Sequence, residues 1–279
     1  MNSVGINDYA LKIIEKLQEH KDELHQIFVE QNKDLPFFII DNLLPTDWCV
    51  KINEAFPETS EMVLKKSLRE DKYVGVQMNE YKKCIEEIMY AFQDNRVVEL
   101  VGDICGIRKC YADASLYAGG ISSMTEKQFL RPHLDNSHDK DRKKWRVLNL
   151  LYYTTPDWEL EYGGNLEVWP EGLKGKPITI GANFNRLVVM GTDNHSWHSV
   201  SPIMVNKRRN CVSNYYFSNA PLTATDSFHV TLFRAWPQQK LSNLILKIDG
   251  RIRMVIRKIF PTGIVKNPHV YNKKPSKKT

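Results

Sequence analysis

The chain has 279 residues, 42% hydrophobic and 26% charged, a balance typical of folded globular proteins and not of disordered or collagen-like ones. No apolar run is long enough to span a bilayer, and Met1–Asp8 shows neither the basic nor the apolar part of a secretory signal. The five cysteines form no C-x-x-C pair, so we expect neither a disulfide framework nor a cysteine zinc site, and a reducing cytoplasm is the expected location.

The net charge of +6 is concentrated near the C-terminus. Residues 226–279 carry 12 Lys and Arg against 2 Asp and Glu, or +10, which leaves 27 against 31, or −4, for the rest of the chain. The basic character therefore belongs to the C-terminal segment and not to the whole protein.

The first part of the chain predicts helices that pack against a sheet. Three segments have apolar residues at helical spacing, and one aromatic and β-branched run predicts a short buried strand. The helices are expected at 8–31, 45–57 and 81–101, and the strand at 36–41. The polar segment 67–80 gives no clear prediction. We expect residues 1–109 to form a helical and strand support region, and we see no chemistry in its helices.

From Cys110 the hydrophobic period changes to two, which is typical of strands. No helical pattern interrupts this region before Ala220, so residues 110–220 predict an all-β sandwich or barrel. The strand-like runs lie between glycine and charged turns, at 111–117, 131–135, 146–153, 165–169, 185–190 and 209–217.

Two imidazoles and one carboxylate in this region are candidate metal ligands. His133 and Asp135 are two residues apart, and such residues point to the same face of a strand, so both can reach one ion. His198 follows the predicted strand 185–190 across a short turn and can enter from a neighbouring strand. Two His and one carboxylate bind iron(II) on one face and leave the other face open. An H-x-D pattern alone also arises by chance in a chain with eight His, so its context must decide.

The last β-run supplies a candidate anion-binding residue. Iron(II) oxygenases that consume 2-oxoglutarate need a cation for the far carboxylate of this cosubstrate, and the planar fork of Arg209 suits a carboxylate. Arg208 is a competitor that points to the opposite face. Arg209 is preferred because its face continues, at every second position to Tyr215, with small and then larger side chains, as a cavity-facing row would. The hydroxyl of Tyr153, at the end of another strand, could donate to the same carboxylate.

Several blocks in this order resemble the prolyl-4-hydroxylase-like branch of the Fe(II)/2-oxoglutarate dioxygenases. The resemblance covers roughly residues 110–220 and is far more specific than the H-x-D pattern. Its blocks are Tyr117, His133-Leu134-Asp135, 146–153, Asp157-Trp158, Gly163-Gly164-Asn165-Leu166, Trp169-Pro170-Glu171-Gly172, 185–189, His198, Arg209-x-Cys211 and Tyr215-Tyr216-Phe217.

The resemblance implies a mainly β fold, with a double-stranded β-helix (jelly roll) core flanked by helices. It implies a reaction that couples decarboxylation of 2-oxoglutarate to succinate with hydroxylation of a C–H bond, using O₂ and, we expect, ascorbate. His133, Asp135 and His198 match the iron(II) ligands, since the block Ser196-Trp197-His198-Ser199-Val200 aligns the distal His at His198 and not at His195.

The resemblance also assigns the cosubstrate pocket. Arg209 matches the residue that binds 2-oxoglutarate, Tyr153 and Tyr117 match tyrosines that hydrogen-bond it in part of the family, and Asn149 matches a position that lines the pocket. A departure is Cys211, where many relatives have Ser; the two side chains are nearly isosteric. His138 is expected to be a loop residue at the mouth of the site.

Residues 221–279 predict a basic helical extension and tail. Apolar residues recur at helical spacing from Leu241 to Ile259, with Lys and Arg off the stripe and Gly250 near the middle. One interpretation is a helix packed on the domain with a solvated basic face. The other is a dock for an acidic partner or an anionic membrane surface, which would make the protein peripheral. The Lys-rich stretch 273–278 is expected to be disordered, and no basic groove with interleaved aromatics indicates nucleic-acid binding.

Two other function classes stay open at this point. One is a non-catalytic jelly-roll binding module, which the intact ligand set and Arg209 speak against. The other is a cupin-type metalloprotein without 2-oxoglutarate, which would leave Arg209 and Tyr153 without a role. The sequence names no substrate, so a peptidyl proline, a small molecule and a glycan are all open.

Overall fold

The computed structural model describes residues 4–31, 34–117, 119–260 and 270–271. The helices in these ranges are α1 Ile6–Glu19, α2 Lys21–Gln26, α3 Thr46–Ala55, α4 Lys83–Ala91, α5 Asn95–Ile104 and α6 Lys240–Ile259. The strands are β1 Phe37–Asp41, β2 Val63–Lys66, β3 Glu70–Gly75, β4 Tyr111–Ala112, β5 Gly120–Met124, β6 Phe129–Leu134, β7 Trp145–Tyr153, β8 Leu166–Val168, β9 Ile178–Ile180, β10 Arg186–Gly191, β11 His198–Val200, β12 Arg209–Ser218 and β13 Leu232–Phe233.

The described strands form one antiparallel sheet that folds around a cavity. Its order is β1-β10-β7-β12-β5-β3-β6-β11-β8-β9, with β13 paired to β6, β2 to β3 and β4 to β12. Strands β3, β5, β6, β7, β11 and β12 all contribute side chains to the cavity wall. The prediction of a mainly β jelly-roll core with flanking helices is confirmed.

The side chains of strand β7 point alternately into the core beneath the N-terminal helices and into the cavity. Leu148, Leu150 and Tyr152 are buried in the core that the sheet shares with the N-terminal helices. The alternate residues of the same strand, Asn149 and Tyr153 among them, line the cavity on the other face. Because successive strand residues point to opposite faces, one stretch of sequence both packs the fold and furnishes the site.

The N-terminal helices follow the predicted pattern with different boundaries. The segment predicted as one helix at 81–101 is two helices, α4 and α5, separated by residues 92–94. Asp94 caps α5, since its carboxylate accepts the backbone N–H of Arg96 at 2.9 Å. The predicted helix at 8–31 is divided into α1, α2 and a π-helical turn at Ile27–Gln31.

The segment 67–80, whose polar pattern predicted neither helix nor strand, contains a strand of the main sheet. Strand β3 pairs with β2 as a hairpin and also with β5 and β6. Glu70, Lys72, Val74 and Val76, at every second position, line the cavity. The hairpin β2–β3 is therefore a wall of the site, although it precedes the β-region that the sequence delimited.

Helix α6 forms where it was predicted, but its apolar stripe does not pack on the domain, as the first of the two interpretations would require. It contacts the domain through Leu246 and Gly250, and a Cβ at Gly250 would lie 3.3 Å from the side chain of Leu232. The apolar stripe is exposed: seven of its residues and the following Phe260 are large hydrophobic side chains at the surface, namely Leu241, Leu244, Ile245, Ile248, Ile252, Val255, Ile259 and Phe260. Polar contacts fix this orientation, because Arg257 bonds Tyr117 at 3.4 Å and its carbonyl accepts from Arg142 at 2.8 Å.

Two further expectations concern the C-terminal segment and membranes. The Lys-rich stretch 273–278 lies outside the described residues. None of the helices in the part of the chain that the structure describes combines the length and apolarity needed to cross a bilayer.

Candidate active site

The sheet brings the three candidate metal ligands together. His198 on β11 is the direct cross-strand partner of His133 on β6, and Asp135 follows β6 by one residue. The Nε2 of His133 lies 3.6 Å from Asp135 Oδ1, and the Nε2 of His198 lies 3.7 Å from Asp135 Oδ2. The three ligand atoms all lie within 4.8 Å of one another. All three residues are buried. This arrangement can hold one divalent ion on one face.

Backbone carbonyls orient both imidazole rings. The Nδ1 of His133 lies 2.9 Å from the carbonyl of Arg131, and the Nδ1 of His198 lies 2.9 Å from the carbonyl of Ser196. A carbonyl can only accept, so each Nδ1 donates a proton and each Nε2 keeps a free lone pair toward the cluster. Burial and the neighbouring His198 lower the pKa of His133 to about 3, so its ring is neutral at ordinary pH, as a ligand must be.

Arg146 supplies a buried countercharge to the ligand carboxylate. Its Nη1 lies 3.6 Å from Asp135 Oδ2, and its guanidinium stacks on the ring of Tyr215 at 4.0 Å. Burial by itself would raise the pKa of Asp135, but Arg146, His198 and His133 hold it at about 2. The carboxyl is therefore ionised and available to a cation.

The two other histidines near the ligands lie away from the cluster. His195 is exposed, on the turn before β11, where its backbone N–H donates to Asp193. His138, expected in a loop at the mouth, is buried, with its ring centre 4.7 Å from that of Phe228 and 6.5 Å from that of Tyr117. Its contacts with two aromatic rings explain why it is not at the surface.

Arg209 lies inside the cavity and Arg208 lies at the surface. Arg209 is 3% exposed, donates from Nη1 to the carbonyl of Gly164 at 3.1 Å and sits 5.3 Å from the ring centre of Tyr153. Arg208 instead donates to Glu58 at 3.2 Å. The alternation along β12 thus places the two arginines as the sequence analysis expected.

The two other candidate cosubstrate residues also line the cavity. Asn149 lies on β7, opposite Tyr215 of β12. Tyr117 is partly exposed at one end of the cavity, where its hydroxyl accepts a hydrogen bond from Arg257 of α6. Tyr117 is therefore linked to the C-terminal helix, which the sequence did not indicate.

Several buried polar atoms around the cavity form no hydrogen bond with a described residue. Asp135 Oδ2, Asn149 Oδ1, the Tyr153 hydroxyl and Arg209 Nε make no hydrogen bond of normal geometry to a described residue. Each such atom costs about 1–3 kcal/mol when buried unpaired, so their concentration around one cavity of about 340 Å³ indicates bound ligands. A buried Arg and a tyrosine hydroxyl in the same cavity as the His-Asp-His cluster fit iron(II) and 2-oxoglutarate.

Other cavity residues were missed by the sequence analysis. They come from the hairpin β2–β3, from β13 and from α6, and they are Lys65, Arg69, Glu70, Lys72, Phe233 and Arg253. The alternation of Glu70, Lys72, Val74 and Val76 was a usable signal for a strand. Nothing local in the sequence places β13 or α6 at the site, because both reach it through tertiary contacts.

Comparisons with known proteins agree with this geometry. The model of the 2OG-Fe(II) oxygenase superfamily matches residues 119–217, which include the three candidate ligands and Arg209. This match favours an oxygenase over a binding module or a cupin-type protein. Among curated proteins, no match to this sequence was found.

Solved structures share the fold at low sequence identity. A prolyl hydroxylase from Trichoplax adhaerens, in complex with a hypoxia inducible factor peptide fragment, is 17% identical with a TM-score of 0.53, over 72% of this chain and 91% of that one. A Pseudomonas putida prolyl-4-hydroxylase is 15% identical with a TM-score of 0.53, over 71% and 100%. A prolyl 4-hydroxylase from Phytophthora capsici is 15% identical with a TM-score of 0.53, over 91% and 80%. Residues 119–217 therefore match the 2OG-Fe(II) oxygenase superfamily, and the chain shares its fold with the prolyl hydroxylases.

Proposed function

We propose that this oxygenase hydroxylates a C–H bond of its substrate and releases succinate and CO₂. The observation that carries the proposal is the buried cluster of His133, Asp135 and His198 in the same cavity as Arg209 and Tyr153. Iron(II) bound there would supply the oxidising chemistry, with 2-oxoglutarate and O₂ as cosubstrates. Ascorbate, which keeps iron reduced, is proposed as an auxiliary reductant.

The residues of the cavity would divide the work between metal and cosubstrate. His133, Asp135 and His198 would hold iron(II), with Arg146 keeping Asp135 ionised. Arg209 would bind the far carboxylate of 2-oxoglutarate through its fork, and the Tyr153 hydroxyl would donate to the same carboxylate. Asn149 and Tyr117 would line the rest of the pocket. Because Arg209 and Tyr153 are buried, water would be excluded from the bound carboxylate and their contacts with it would be stronger.

The substrate of this enzyme is proposed at the level of class. A prolyl residue in a peptide is one candidate, because a structural neighbour was solved with a peptide fragment. A small molecule or a glycan is the alternative. The proposed site of action is the cytoplasm, where iron(II) stays reduced.

A coupled assay tests the reaction. The protein is purified anaerobically, loaded with Fe(II) and 2-oxoglutarate and exposed to O₂, and succinate is quantified. We expect slow succinate formation that candidate substrates accelerate and ascorbate sustains. The proposal would be refuted if the metal-loaded protein formed no succinate and bound no 2-oxoglutarate.

The metal assignment has its own matched pair of variants. We expect His198→Ala to lose binding of Mn(II), a redox-stable substitute for iron(II), in anaerobic calorimetry. His195→Ala should bind Mn(II) like the wild type, because His195 is exposed and lies outside the cluster. The opposite result would move the third ligand to His195.

A second proposal concerns the outer face of α6, for which we infer peripheral attachment to an anionic membrane surface. The apolar stripe from Leu241 to Phe260 is exposed. Basic side chains flank it: Lys240, Lys247, Arg251 and Lys258 are exposed, while Asp249, the one acidic residue of the helix, pairs with Arg253 at 2.9 Å. An apolar face bordered by cations is the pattern of a helix that lies in the headgroup region.

Vesicle flotation tests this attachment. We expect binding to vesicles with 30% phosphatidylserine, weak binding to neutral vesicles, and loss of binding in the double variant Ile248→Asp/Ile252→Asp. Leu11→Asp, at an exposed apolar residue of α1, is the matched control and should bind normally. Binding to polyglutamate without binding to anionic vesicles would refute a membrane in favour of an acidic protein partner.

A further inference from the structure

The cavity wall formed by the hairpin β2–β3 and α6 is basic, with Lys65, Arg69, Lys72 and Arg253 against Glu70. Among the described residues, the cavity is lined by six cations, Lys65, Arg69, Lys72, Arg146, Arg209 and Arg253, and by two carboxylates, Glu70 and Asp135. The formal sum is +4. The two charges of iron(II) and the two of 2-oxoglutarate cancel, so loading the enzyme leaves this excess in place. Asp249 is not among the lining residues but pairs with Arg253, which reduces the excess charge to about +3.

The hairpin β2–β3 concentrates two of these cations. Lys65 and Lys72 are direct cross-strand partners, and both line the cavity. Like charges placed directly opposite each other destabilise a strand pair. Lys72 has one partner, Glu70, at 3.2 Å, whereas Lys65 forms no ion pair with a described residue. The carboxylate of Glu70 is therefore shared between the ammonium groups of Lys72 and Lys65.

The pKa shifts in the hairpin agree with incomplete neutralisation of the positive charges of Lys65 and Lys72. Burial and the nearby charge of Lys72 lower the pKa of Lys65 to about 8. The protonated form of Lys65 is therefore destabilised in the folded protein. Burial alone would raise the pKa of Glu70, but Lys72 and Lys65 keep it below its usual value. An anion entering the cavity would relieve the repulsion between the two lysines.

A third cation connects this wall to the metal cluster. The ring of Phe233 stacks on His133, with centroids 5.2 Å apart and planes at 17°. Arg253 lies 5.9 Å from the Phe233 ring, and its Nη2 is buried without a hydrogen-bond partner among the described residues. A guanidinium with a free N–H thus stands one aromatic ring away from a metal ligand.

We propose that the substrate carries an anionic group, a carboxylate or a phosphate, and that Lys65 and Lys72 bind it beside the metal centre. Arg253, which lines the same cavity, would contact the same group. This inference rests on the proposed function and narrows its substrate class, because a neutral substrate would leave the pair of lysines unneutralised. The target C–H bond would lie within a few bonds of the anionic group, since both must fit in one cavity of about 340 Å³.

Binding of matched probes tests the proposal. The enzyme is kept anaerobic and saturated with Mn(II) and 2-oxoglutarate, and it is titrated calorimetrically with phenyl phosphate, benzoate and neutral benzyl alcohol. We expect at least one anion to bind ten-fold or more tightly than benzyl alcohol, with an affinity that falls as salt increases. The better anion identifies phosphate or carboxylate as the group. Equal affinities for all three probes would refute the proposal.

Variants of the hairpin distinguish specific binding of the anion by Lys65 and Lys72 from nonspecific electrostatic attraction. Lys65→Gln and Lys72→Gln should each weaken binding of the preferred anion five-fold or more, and the double variant should abolish its preference over benzyl alcohol. Lys66→Gln is the control, because Lys66 is exposed on the other face of the same strand and pairs with Asp71. Equal loss in Lys66→Gln, or no loss in the two cavity variants, would contradict the assignment.

The affinity for 2-oxoglutarate distinguishes this inference from the proposed function. All three hairpin variants should bind 2-oxoglutarate within two-fold of the wild type, because Arg209 is unchanged. A wild-type enzyme that binds no 2-oxoglutarate would refute the proposed function. Intact 2-oxoglutarate binding without anion preference refutes only the assignment of an anionic substrate.

Discussion

Replacement of Arg209 by Lys tests whether the cosubstrate pocket works through a guanidinium fork. Arg209 is buried, with one Nη bonded to the Gly164 carbonyl at 3.1 Å and its Nε without a partner among the described residues. Lys keeps the charge but offers one donor centre where Arg offers two parallel ones. The loss of one charge-assisted hydrogen bond is worth about 1.5–3 kcal/mol, which corresponds to a rise of roughly 10- to 100-fold in the Kd for 2-oxoglutarate.

Calorimetry on the Mn(II)-loaded, anaerobic protein measures this change directly. Arg208→Lys is the matched control, since Arg208 is the neighbouring residue, is partly exposed and pairs with Glu58 at 3.2 Å. A surface ion pair of this kind contributes little, so we expect a change below two-fold. Binding of Mn(II) should be the same in both variants. A weaker cosubstrate affinity in Arg208→Lys together with a normal one in Arg209→Lys would refute the assignment of the fork.

Three further outcomes are expected. Gly164→Ala, at φ +66° and with a Cβ 3.3 Å from the Arg209 side chain, should lower the free energy of unfolding by about 1–2 kcal/mol in urea denaturation and weaken 2-oxoglutarate binding; an unchanged variant would mean that the turn does not position Arg209. Asp94→Ala should cost about 1 kcal/mol of stability, through loss of the cap to Arg96, with normal cosubstrate affinity; reduced affinity would contradict a purely structural role. Finally, the pKa of Lys65 is lowered from 10.5 to about 8, so between these pH values the unfolded chain holds a proton that the folded protein has lost. The free energy of unfolding should therefore rise with pH across this window, by about 1–3 kcal/mol after allowance for partial solvation, relative to Lys65→Gln; a parallel pH profile in the variant would refute the shift.

Much of the site could be predicted because the relevant pattern is local. His133 and Asp135 are two residues apart, a spacing that a strand converts into a shared direction. The same alternation separates Arg209 from Arg208, and the structure places the first in the cavity and the second beside Glu58. The exposure of His195 agrees with the preference for His198, which rested on a resemblance and not on geometry.

Other features could not be predicted because they depend on contacts between distant segments. The segment 67–80 is polar because one face of β3 carries Glu70 and Lys72 toward the cavity, and this polarity hid the strand. The apolar periodicity of α6 predicted a helix correctly but did not reveal which face packs. Gly250 lets the helix approach β13 on its less apolar side, and the stripe remains exposed.

The sequence by itself determined the β-core, the three candidate ligands and the candidate cosubstrate residues, because periodicity and motif order encode which side chains share a strand face. Only the tertiary structure decided what surrounds the metal cluster. Lys65 and Lys72, Phe233 and Arg253 come from three elements far apart in the chain, and their convergence follows from sheet register and helix docking. Register and docking are set by packing over the whole molecule, so the basic wall that points to an anionic substrate could not be read from any one segment.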